Sequence, residues 1–412
     1  MRATSSRSSN RTSSRIRIAG AGLTAAAFLT LALAACSSAS SSSSSAPASA
    51  PATAGSASAS AAGTASASTA GTASSAVAAA VAAVTSASTM PTTIPETQAL
   101  PSAPPKGKTV LFLQCEEVQC GYEGDGLKAA AAAIGWTVKV LNFQAANPAT
   151  LVSALQTGLQ YHPVAAFFSG VPQEAWQSEQ KPYAAAGAVI VDNYLAATPS
   201  GPGVMAGRGY ASENEDMGKV LADQQIANSG GAPAASLIVS VPTYTVFDPM
   251  VTAYKAEIAK VCPSCSVTED DFTLPQMLGG QLVPAVVSAA KRISNLKYIV
   301  SVNGAFTDTL PEALKAAGLA GKYQIISGQG VSTDQQNVLA GSQLATVSGP
   351  FILGGWQDMD MAIRAVMKLP PSPGDNVVPW VLLNKSNIGK PSDSYDVPAD
   401  YPSLFEKLWH VG

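Results

Sequence analysis

The fold prediction for this chain starts from the segment 111-LFLQCEEVQCGYEGDGLKAAAAAIG-135. An apolar strand pattern ends at Gln114, a polar loop follows, and an alanine-rich helix pattern completes the segment. A strand, a loop and a helix in this order form the opening unit of an α/β fold. The same segment contains 124-GDGLKA-129, which fits the G-x-G-x-x-[GA] pattern of dinucleotide-binding loops.

The spacing of residues argues against a dinucleotide cofactor. In a nucleotide-binding unit the glycine turn follows the strand directly, and an acidic residue about 20 positions later contacts the ribose. Here nine residues separate Gln114 from Gly124, and neither Asp nor Glu occurs between Leu127 and Gln173. We therefore expect no cofactor, and we expect the glycines to let the helix start close to the strand.

The alternation of strand and helix patterns continues through the rest of the chain. Strand patterns lie at 109–114, 137–143, 163–169, 188–193, 235–241, 266–272, 297–302, 323–328, 343–348 and 378–383. Helical patterns lie at 122–134, 148–161, 173–186, 213–228, 248–261, 276–294, 309–318 and 354–368. This alternation predicts parallel sheets flanked by helices. Because the pattern restarts after Gly207, we expect two Rossmann-like lobes of comparable size.

The first 35 residues have the composition of a secretory signal peptide. They contain five arginines and no acidic residue, and an apolar run extends from Ile18 to Ala35. The run ends in 33-LAAC-36, which resembles the lipobox of bacterial lipoproteins; this resemblance implies that lipid is attached to Cys36. An uncleaved signal anchor is the alternative, but the run is short for a spanning helix.

Residues 36–105 are predicted to be a disordered tether, because this segment is almost entirely Ser, Ala, Thr, Pro and Gly. Without residues 1–35 the chain carries 19 basic and 27 acidic residues, a net charge of −8. This charge disfavours nucleic acid and anionic lipid as partners. We therefore expect a covalent lipid anchor to provide the link to the membrane.

Four cysteines remain once Cys36 is assigned to lipid. Outside the cytoplasmic membrane, closely spaced pairs predict disulfides. The simplest connectivity is Cys115 with Cys120 and Cys262 with Cys265. A redox role for 262-CPSC-265 and a four-cysteine zinc site are the alternatives. Because that motif follows the helical pattern 248–261, the helix dipole opposes a thiolate there, which disfavours the redox role. We also expect no metal site.

Several segments show a characteristic order along the chain: a large first helix, a fourth strand ending in Asp, a crossover, an Asn after a strand and a final crossover. The segments are 124-GDGLKAAAAAIGWTVKVLNFQ-144, 187-GAVIVDN-193, 212-SENEDMGKVLADQQIANSGG-231, 298-YIVSVNGAFTDTLPEALKAAGL-319 and 341-GSQLATVSGPFILGGWQDMDMAIRAVM-367. Together they resemble the type I periplasmic-binding-protein family, the sugar-type solute-binding lipoproteins of ABC importers.

The resemblance covers about residues 107–390 and implies two lobes joined by three crossover strands. The crossovers are expected near Ala211, Gly349 and Asn384. Lobe one is expected to comprise 106–210 and 350–384, and lobe two 211–349 and 385–412. The family captures a small-molecule solute between the lobes and delivers it to a membrane permease without chemistry. We therefore expect a monomer, lipid-anchored at the extracytoplasmic face of the cell membrane.

Candidate ligand-binding residues lie at strand ends and at the starts of the following loops or helices. They are Gln114, Glu116, Trp176, Asp192, Asn193, Phe247, Asp248, Asn303, Gln329 and Phe351. Hydrogen-bonding groups that converge at strand ends are what a small-ligand cleft needs. Gly304 and Gln329 replace acidic residues common in the family, so the resemblance does not specify a pentose or hexose.

Aromatic and basic residues narrow the ligand class. The aromatics available for stacking on a sugar face are Trp176, Tyr194, Tyr244, Phe247, Phe306, Phe351 and Trp356; core packing is the alternative for each. Arginines after the signal segment are Arg208, Arg292 and Arg364. Because bidentate capture of an anion usually draws on arginine, we expect a neutral sugar or polyol, or a cation near Glu116, Asp192 and Asp248.

Catalysis is not expected. The two histidines, His162 and His410, lie away from the predicted carboxyl ends of strands, and the chain has no G-x-S-x-G motif, P-loop or metal-spaced His/Cys set. A ligand sensor is the rival hypothesis, in which the same cleft signals to a membrane receptor or kinase. A tethered adhesion protein is disfavoured, because the chain is a single two-lobe module without repeats.

Overall fold

The strand and helix alternation predicted from Thr109 onward is present in the structure. The computed structural model describes residues 63–412, with side chains from Ser75 onward except that of Asp271. The predicted signal peptide, Cys36 and the first part of the tether lie outside the described residues. The described residues belong to one compact unit, Ser60–Gly412.

Lobe one is built on a parallel sheet with the order β2-β1-β3-β4. Its strands are β1 Thr109–Gln114, β2 Thr137–Asn142, β3 Ala165–Ser169 and β4 Val189–Asn193. Thr109 pairs with Thr137 on one side of β1, and Val110 pairs with Ala165 on the other. Val110, Leu111, Phe112 and Leu113 are buried on both faces of the sheet, as expected for a central parallel strand.

Lobe two is built on a sheet with the order β10-β9-β8-β7-β5-β6. Its strands are β5 Ala235–Ser240, β6 Ser266–Asp271, β7 Leu296–Ser301, β8 Gln324–Gly330, β9 Ala345–Ser348 and β10 Val381–Leu383. All pairings are parallel except that of β10 with β9. The two-lobe α/β prediction is confirmed, since every predicted strand is present.

Helices cover the faces of both sheets. They are α1 Gly63–Ala87, α2 Val118–Ile134, α3 Pro148–Gly158, α4 Gln180–Ala185, α5 Ala211–Ser229, α6 Asp248–Val261, α7 Leu274–Leu278, α8 Leu282–Arg292, α9 Leu310–Ala316, α10 Ser332–Ala340, α11 Phe351–Met367 and α12 Tyr401–Leu408. The helix predicted at 276–294 is divided into α7 and α8 at Gly279-Gly280, where the second glycine has a φ of 67°. Within residues 63–412, no helix is long and apolar enough to cross a bilayer.

The glycines of the opening segment serve close packing. A Cβ atom at Gly124 would lie 2.7 Å from the Phe112 ring of β1, so this glycine lets α2 approach its own sheet. A Cβ at Gly126 would overlap the backbone carbonyl of Ile352 in α11. Gly355 of α11 approaches the α2 backbone in the same way. The glycine pattern therefore sets the α2–α11 contact in lobe one.

The C-terminal segment divides between the lobes instead of joining lobe two as a whole. Tyr395 packs with β10 beside lobe two. Farther on, α12 returns to lobe one, where the Trp409 ring stacks on that of Trp356 with centroids 5.4 Å apart and Phe405 is fully buried. The segment 350–384 is likewise divided, because α11 packs on α2 while β10 extends the lobe-two sheet.

Residues 75–105, which we call the N-terminal strap, differ from the disordered tether expected for residues 36–105. Val77, Ala80 and Val84 of α1 pack against the core of lobe two. Ser88 accepts a hydrogen bond from the Asn387 side chain, 3.0 Å away, and Ile94 then enters the core of lobe one. The strap therefore contacts both lobes.

The last third of the strap is anchored in lobe one by apolar and polar contacts. Leu100 is 2% exposed, and its N–H donates to the Leu408 carbonyl at 2.9 Å. Glu96 is also 2% exposed, and the Gln357 side chain donates to it at 2.8 Å. Burial, with nearby Asp360 adding and the Gln357 hydrogen bond opposing, raises the pKa of Glu96 to about 7.

Leu100→Ala tests whether the strap is part of the folded core. Removal of a buried leucine side chain should lower the free energy of unfolding by about 2–5 kcal/mol, measured by urea denaturation of the mature chain. Leu278→Ala is the matched control, because Leu278 is 63% exposed and should change stability by no more than about 0.5 kcal/mol. Equal, small effects of both substitutions would show that the strap is a tether.

Glu96→Gln tests the buried carboxyl by its pH dependence. The carboxyl of the unfolded chain releases its proton near the ordinary glutamate pKa of 4.5, whereas the folded protein holds that proton until the pH reaches about 7. The native protein should therefore lose roughly 3 kcal/mol of stability relative to Glu96→Gln as pH rises through that window. Urea denaturation of both proteins across this range measures the difference. A difference that does not vary with pH would contradict a raised pKa.

Candidate functional site

The carboxyl ends of strands from both sheets face one gap between the lobes. A cavity of about 180 Å³ lies there. Residues that follow β1, β3 and β4 line it from lobe one, and residues at or after the ends of β5, β7 and β8 line it from lobe two. Ligands of open α/β sheets bind at this end of the strands, so the cavity is the candidate site.

The lobe-one wall is formed by the loop after β1 and the first turns of α2. Glu117, Gln119 and Glu123 contribute polar side chains to the cavity. The predicted Cys115–Cys120 disulfide closes this loop with an S–S distance of 2.01 Å, and both of its cysteines line the cavity. The staple therefore constrains the segment that carries Glu117 and Gln119. The second predicted disulfide, Cys262–Cys265, is also present.

The lobe-two wall is mainly aromatic. The Phe306 ring lies 5.8 Å from the Tyr244 ring and 6.0 Å from the Phe247 ring, centroid to centroid. Asn303 and Gln329 add amide groups beside these rings, and the Asn303 amide donates to the Gln329 side chain at 3.4 Å. This wall offers apolar ring surface together with neutral hydrogen-bonding groups.

Hydrogen bonds join the two walls across the gap. The Tyr244 hydroxyl donates to Glu117 Oε1 at 3.0 Å. The Gln119 side chain donates to Asn303 Oδ1 at 3.5 Å. Farther out, the Tyr122 hydroxyl donates to Asp393 at 2.7 Å. The lobes are therefore closed over the cavity.

Two non-glycine residues of the cavity have left-handed backbone conformations. Tyr194 follows β4 with a φ of 57°, and Gln329 lies near the end of β8 with a φ of 41°. Such conformations are unfavourable for residues with a Cβ and concentrate at functional sites. The presence of one such residue on each wall supports the cavity as the candidate site.

A buried ion group lies directly behind the cavity. Arg208 is fully buried, and its guanidinium donates to Glu123 on α2 and to Asp358 on α11. The Asn193 amide also donates to Glu123, at 3.0 Å. Burial, together with Asp358 and against the opposing charge of Arg208, raises the pKa of Glu123. These contacts fix α2 relative to β4 and α11. They also pair the Arg208 guanidinium with carboxylates of the protein itself.

Glu117 has a different environment from Glu123. Its hydrogen-bond partner is the neutral Tyr244 hydroxyl. Burial in the gap raises its pKa, the Tyr244 bond opposes that change, and the neighbouring Glu116 adds to it. Among the described ion pairs, none includes Glu117.

Four of the ten predicted ligand-binding residues line the cavity. They are Phe247, Asn303, Gln329 and Phe351. Asp192, Asn193 and Trp176 are fully buried and lie outside the cavity lining. Trp176 donates its indole N–H to Asp192 at 2.9 Å, while Asn193 joins the ion group behind the site. These three residues therefore form hydrogen bonds within the protein and do not line the cavity.

The remaining predicted residues lie outside the cavity. Gln114 and Glu116 border an open surface depression beside it, and Glu116 accepts a hydrogen bond from the Ala145 N–H at 3.0 Å. Asp248 is exposed in the first turn of α6. The sequence places these residues near the correct strand ends but does not specify the direction of each side chain.

Other cavity residues were not among the ten. Glu117, Gln119 and Glu123 were missed, although the α2 helical pattern and the Cys115–Cys120 pair mark their segment. Five of the seven aromatic residues that the sequence offers for stacking line the cavity: Tyr194, Tyr244, Phe247, Phe306 and Phe351. Trp176 and Trp356 pack elsewhere in lobe one.

Comparison with solved structures identifies the architecture. A 5-methylthioribose transporter solute-binding protein from Thermotoga lettingae TMO matches with a TM-score of 0.61 and 14% identity, over 74% of this chain and 96% of the other. An ABC transporter solute-binding protein from Burkholderia graminis C4D1M, in complex with D-arabinose, matches with a TM-score of 0.58 and 16% identity, over 70% and 98%. This chain has the type I periplasmic-binding-protein fold.

One further match to this fold is a chain of the XylFII–LytSN complex, with a TM-score of 0.55 and 14% identity, over 69% of this chain and 100% of the other. No protein-family model matches the sequence, and comparison with curated proteins finds no relative. At these identities the structural likeness establishes the binding-protein fold, so the function rests on the site.

Trp176→Phe tests the structural role assigned to the Trp176–Asp192 pair. The substitution leaves Asp192 and the Val171 carbonyl without the indole donor, so stability should fall by about 1–3 kcal/mol or more, measured by urea denaturation. Trp380→Phe is the control, because no hydrogen bond of its indole nitrogen is found among the described residues. Equal stability of the two variants would contradict the structural role.

Proposed function

We propose that this protein is the solute-binding component of an ABC importer and captures a small polar solute of the sugar or polyol class. The cavity between the facing carboxyl ends of the two sheets carries this proposal. Its opposite walls are joined by the Glu117–Tyr244 and Gln119–Asn303 hydrogen bonds. Walls from two lobes that hydrogen-bond to each other suit a protein that encloses its ligand and reports the closed state to a partner.

The cavity matches a small solute in size and lining. Its volume of about 180 Å³ lies below the roughly 300–1,000 Å³ of cavities that hold drug-sized ligands. Aromatic rings offer apolar surface to one side of a sugar ring, and amide and carboxylate groups meet its hydroxyls. The functions of proteins with this fold support the same class: neighbours include proteins bound to D-arabinose, α-D-tagatopyranose and allitol.

The proposal includes a location at the extracytoplasmic face of the cell membrane. The signal-like segment 1–35 and the lipobox-like 33-LAAC-36 support export and lipid attachment at Cys36. Residues 75–105 form the strap, so they do not add to the length of a tether between lipid and lobes. A monomer would deliver solute to a membrane permease and would perform no chemistry.

A ligand sensor is the second candidate. The XylFII–LytSN complex contains a chain of this fold, so the fold has a precedent as part of a larger assembly. The closed cleft is common to both candidates. Genes for a permease and an ATPase beside this one would favour import, and an adjacent kinase gene would favour sensing.

Thermal unfolding of refolded, solute-free mature protein tests solute capture directly. The panel comprises sugars, polyols, nucleosides, amines and amino acids. A solute at 100 times its dissociation constant should add about 2.7 kcal/mol of stability. A shift confined to nucleosides or amino acids would overturn the sugar or polyol assignment, and the lack of any shift would overturn solute capture.

Asn303→Ala tests the cavity as the binding site. Loss of its amide should weaken binding of the active panel member by about tenfold or more, because a lost hydrogen bond in a buried site costs about 1–3 kcal/mol. Isothermal titration calorimetry measures the affinity. Asp248→Ala is the control, since Asp248 lies outside the cavity and should bind solute as the parent does. A stronger effect from Asp248→Ala would place the site elsewhere.

A further inference from the structure

The charge of the cavity lining is strongly one-sided. Among the described residues that line it, Glu117 and Glu123 are acidic and none is lysine, arginine or histidine. The nearest guanidinium, that of Arg208, lies behind the wall and is bound by Glu123 and Asp358. The described lining therefore supplies the cavity with carboxylate acceptors but with no basic side chain that could pair with Glu117.

Among the described residues, none with a positive charge pairs with Glu117, the unpaired carboxylate that lines the cavity. Glu123 has Arg208 as a partner, and Glu116 lies on the outer side, where it accepts from the Ala145 N–H. Glu117 instead faces the cavity with only the Tyr244 hydroxyl as its side-chain donor. A partly buried carboxylate favours an opposite charge within about 4–6 Å, and a cationic group of a solute in the cavity would provide it.

The rings beside Glu117 suit the same kind of group. Tyr244 links Glu117 to the aromatic cluster, since its hydroxyl binds the carboxylate while its ring lies 5.8 Å from that of Phe306. Phe247 meets Phe306 edge to face, at an interplanar angle of 88°. An ammonium group within about 6 Å of an aromatic face gains cation–π attraction, most strongly when it is desolvated.

We infer that the solute is an amino sugar or amino polyol whose protonated amine binds between the Glu117 carboxylate and the rings of Tyr244 and Phe306. This inference rests on the proposed solute-binding function and specifies its ligand class. The hydroxyls of such a solute meet Asn303, Gln329 and Gln119, while its amine neutralises Glu117. An anionic solute is disfavoured, because it would meet the Glu117 carboxylate.

Calorimetric titration with matched pairs of probes tests the inference. The pairs are D-glucosamine with D-glucose, D-galactosamine with D-galactose, and glucamine with sorbitol, measured at neutral pH on the refolded mature chain. In at least one pair the amine should bind about tenfold more tightly than its neutral counterpart. N-acetyl-D-glucosamine, which keeps the ring but loses the positive charge, should lose that advantage.

Glu117→Gln should remove the preference for the amine while it retains weak binding of the neutral probe. Asp125→Asn is the matched control, because Asp125 lies on α2, the helix that follows Glu117, is exposed and pairs with Lys128. The amine preference of this variant should equal that of the parent. Thermal unfolding without solute checks that each variant is folded, and the comparison on the parent protein does not depend on either variant.

The outcomes separate the two proposals. Neutral probes that bind as tightly as their amines, or more tightly, overturn the amine assignment and leave sugar or polyol capture intact. A preference that survives Glu117→Gln overturns the role of Glu117. Absence of binding by every probe, neutral and amine alike, counts against solute capture of this class as well as against the amine.

Discussion

The ion group centred on Arg208 is the interaction on which the site depends. Its fully buried guanidinium binds Glu123 of α2 and Asp358 of α11, and its backbone N–H donates to Asn193 at the end of β4. Removal of one partner from a buried ion pair costs about 3–5 kcal/mol, because the other charge is left unpaired. The same contacts fix the first turns of α2, which carry the lobe-one wall of the cavity. They also bind the Arg208 guanidinium behind the cavity, so the charged side chains of the described lining are both glutamates.

Closure of the lobes links this rigid wall to the aromatic wall of lobe two. The polypeptide passes between the lobes more often than the three crossovers expected, since α12 returns to lobe one and the N-terminal strap contacts both lobes. Tyr244 belongs to both the closure and the cavity, because its hydroxyl joins the walls through Glu117 while the residue also lines the cavity. In the proposed function, ligand binding and closure would therefore share the same side chains.

The sequence predicted the sheets well because buried parallel strands have continuous apolar patterns that do not depend on distant contacts. It predicted the site less well, since a strand end specifies a location but not a side-chain direction: Asn303 faces the cavity, whereas Asp192 turns to Trp176. The strap was missed because its Ala- and Ser-rich composition is typical of disorder. Its few apolar residues, such as Leu100, become informative only when the surface that buries them is known.

The most direct test is a crystal structure of the mature chain bound to the tightest member of the solute panel. We expect electron density for the solute inside the cavity, in contact with Glu117, Asn303 and Phe306, with the Arg208 ion group intact behind it. Solute bound outside the gap between the lobes, or an empty cavity in a protein saturated with solute, would show that the cavity is not the binding site.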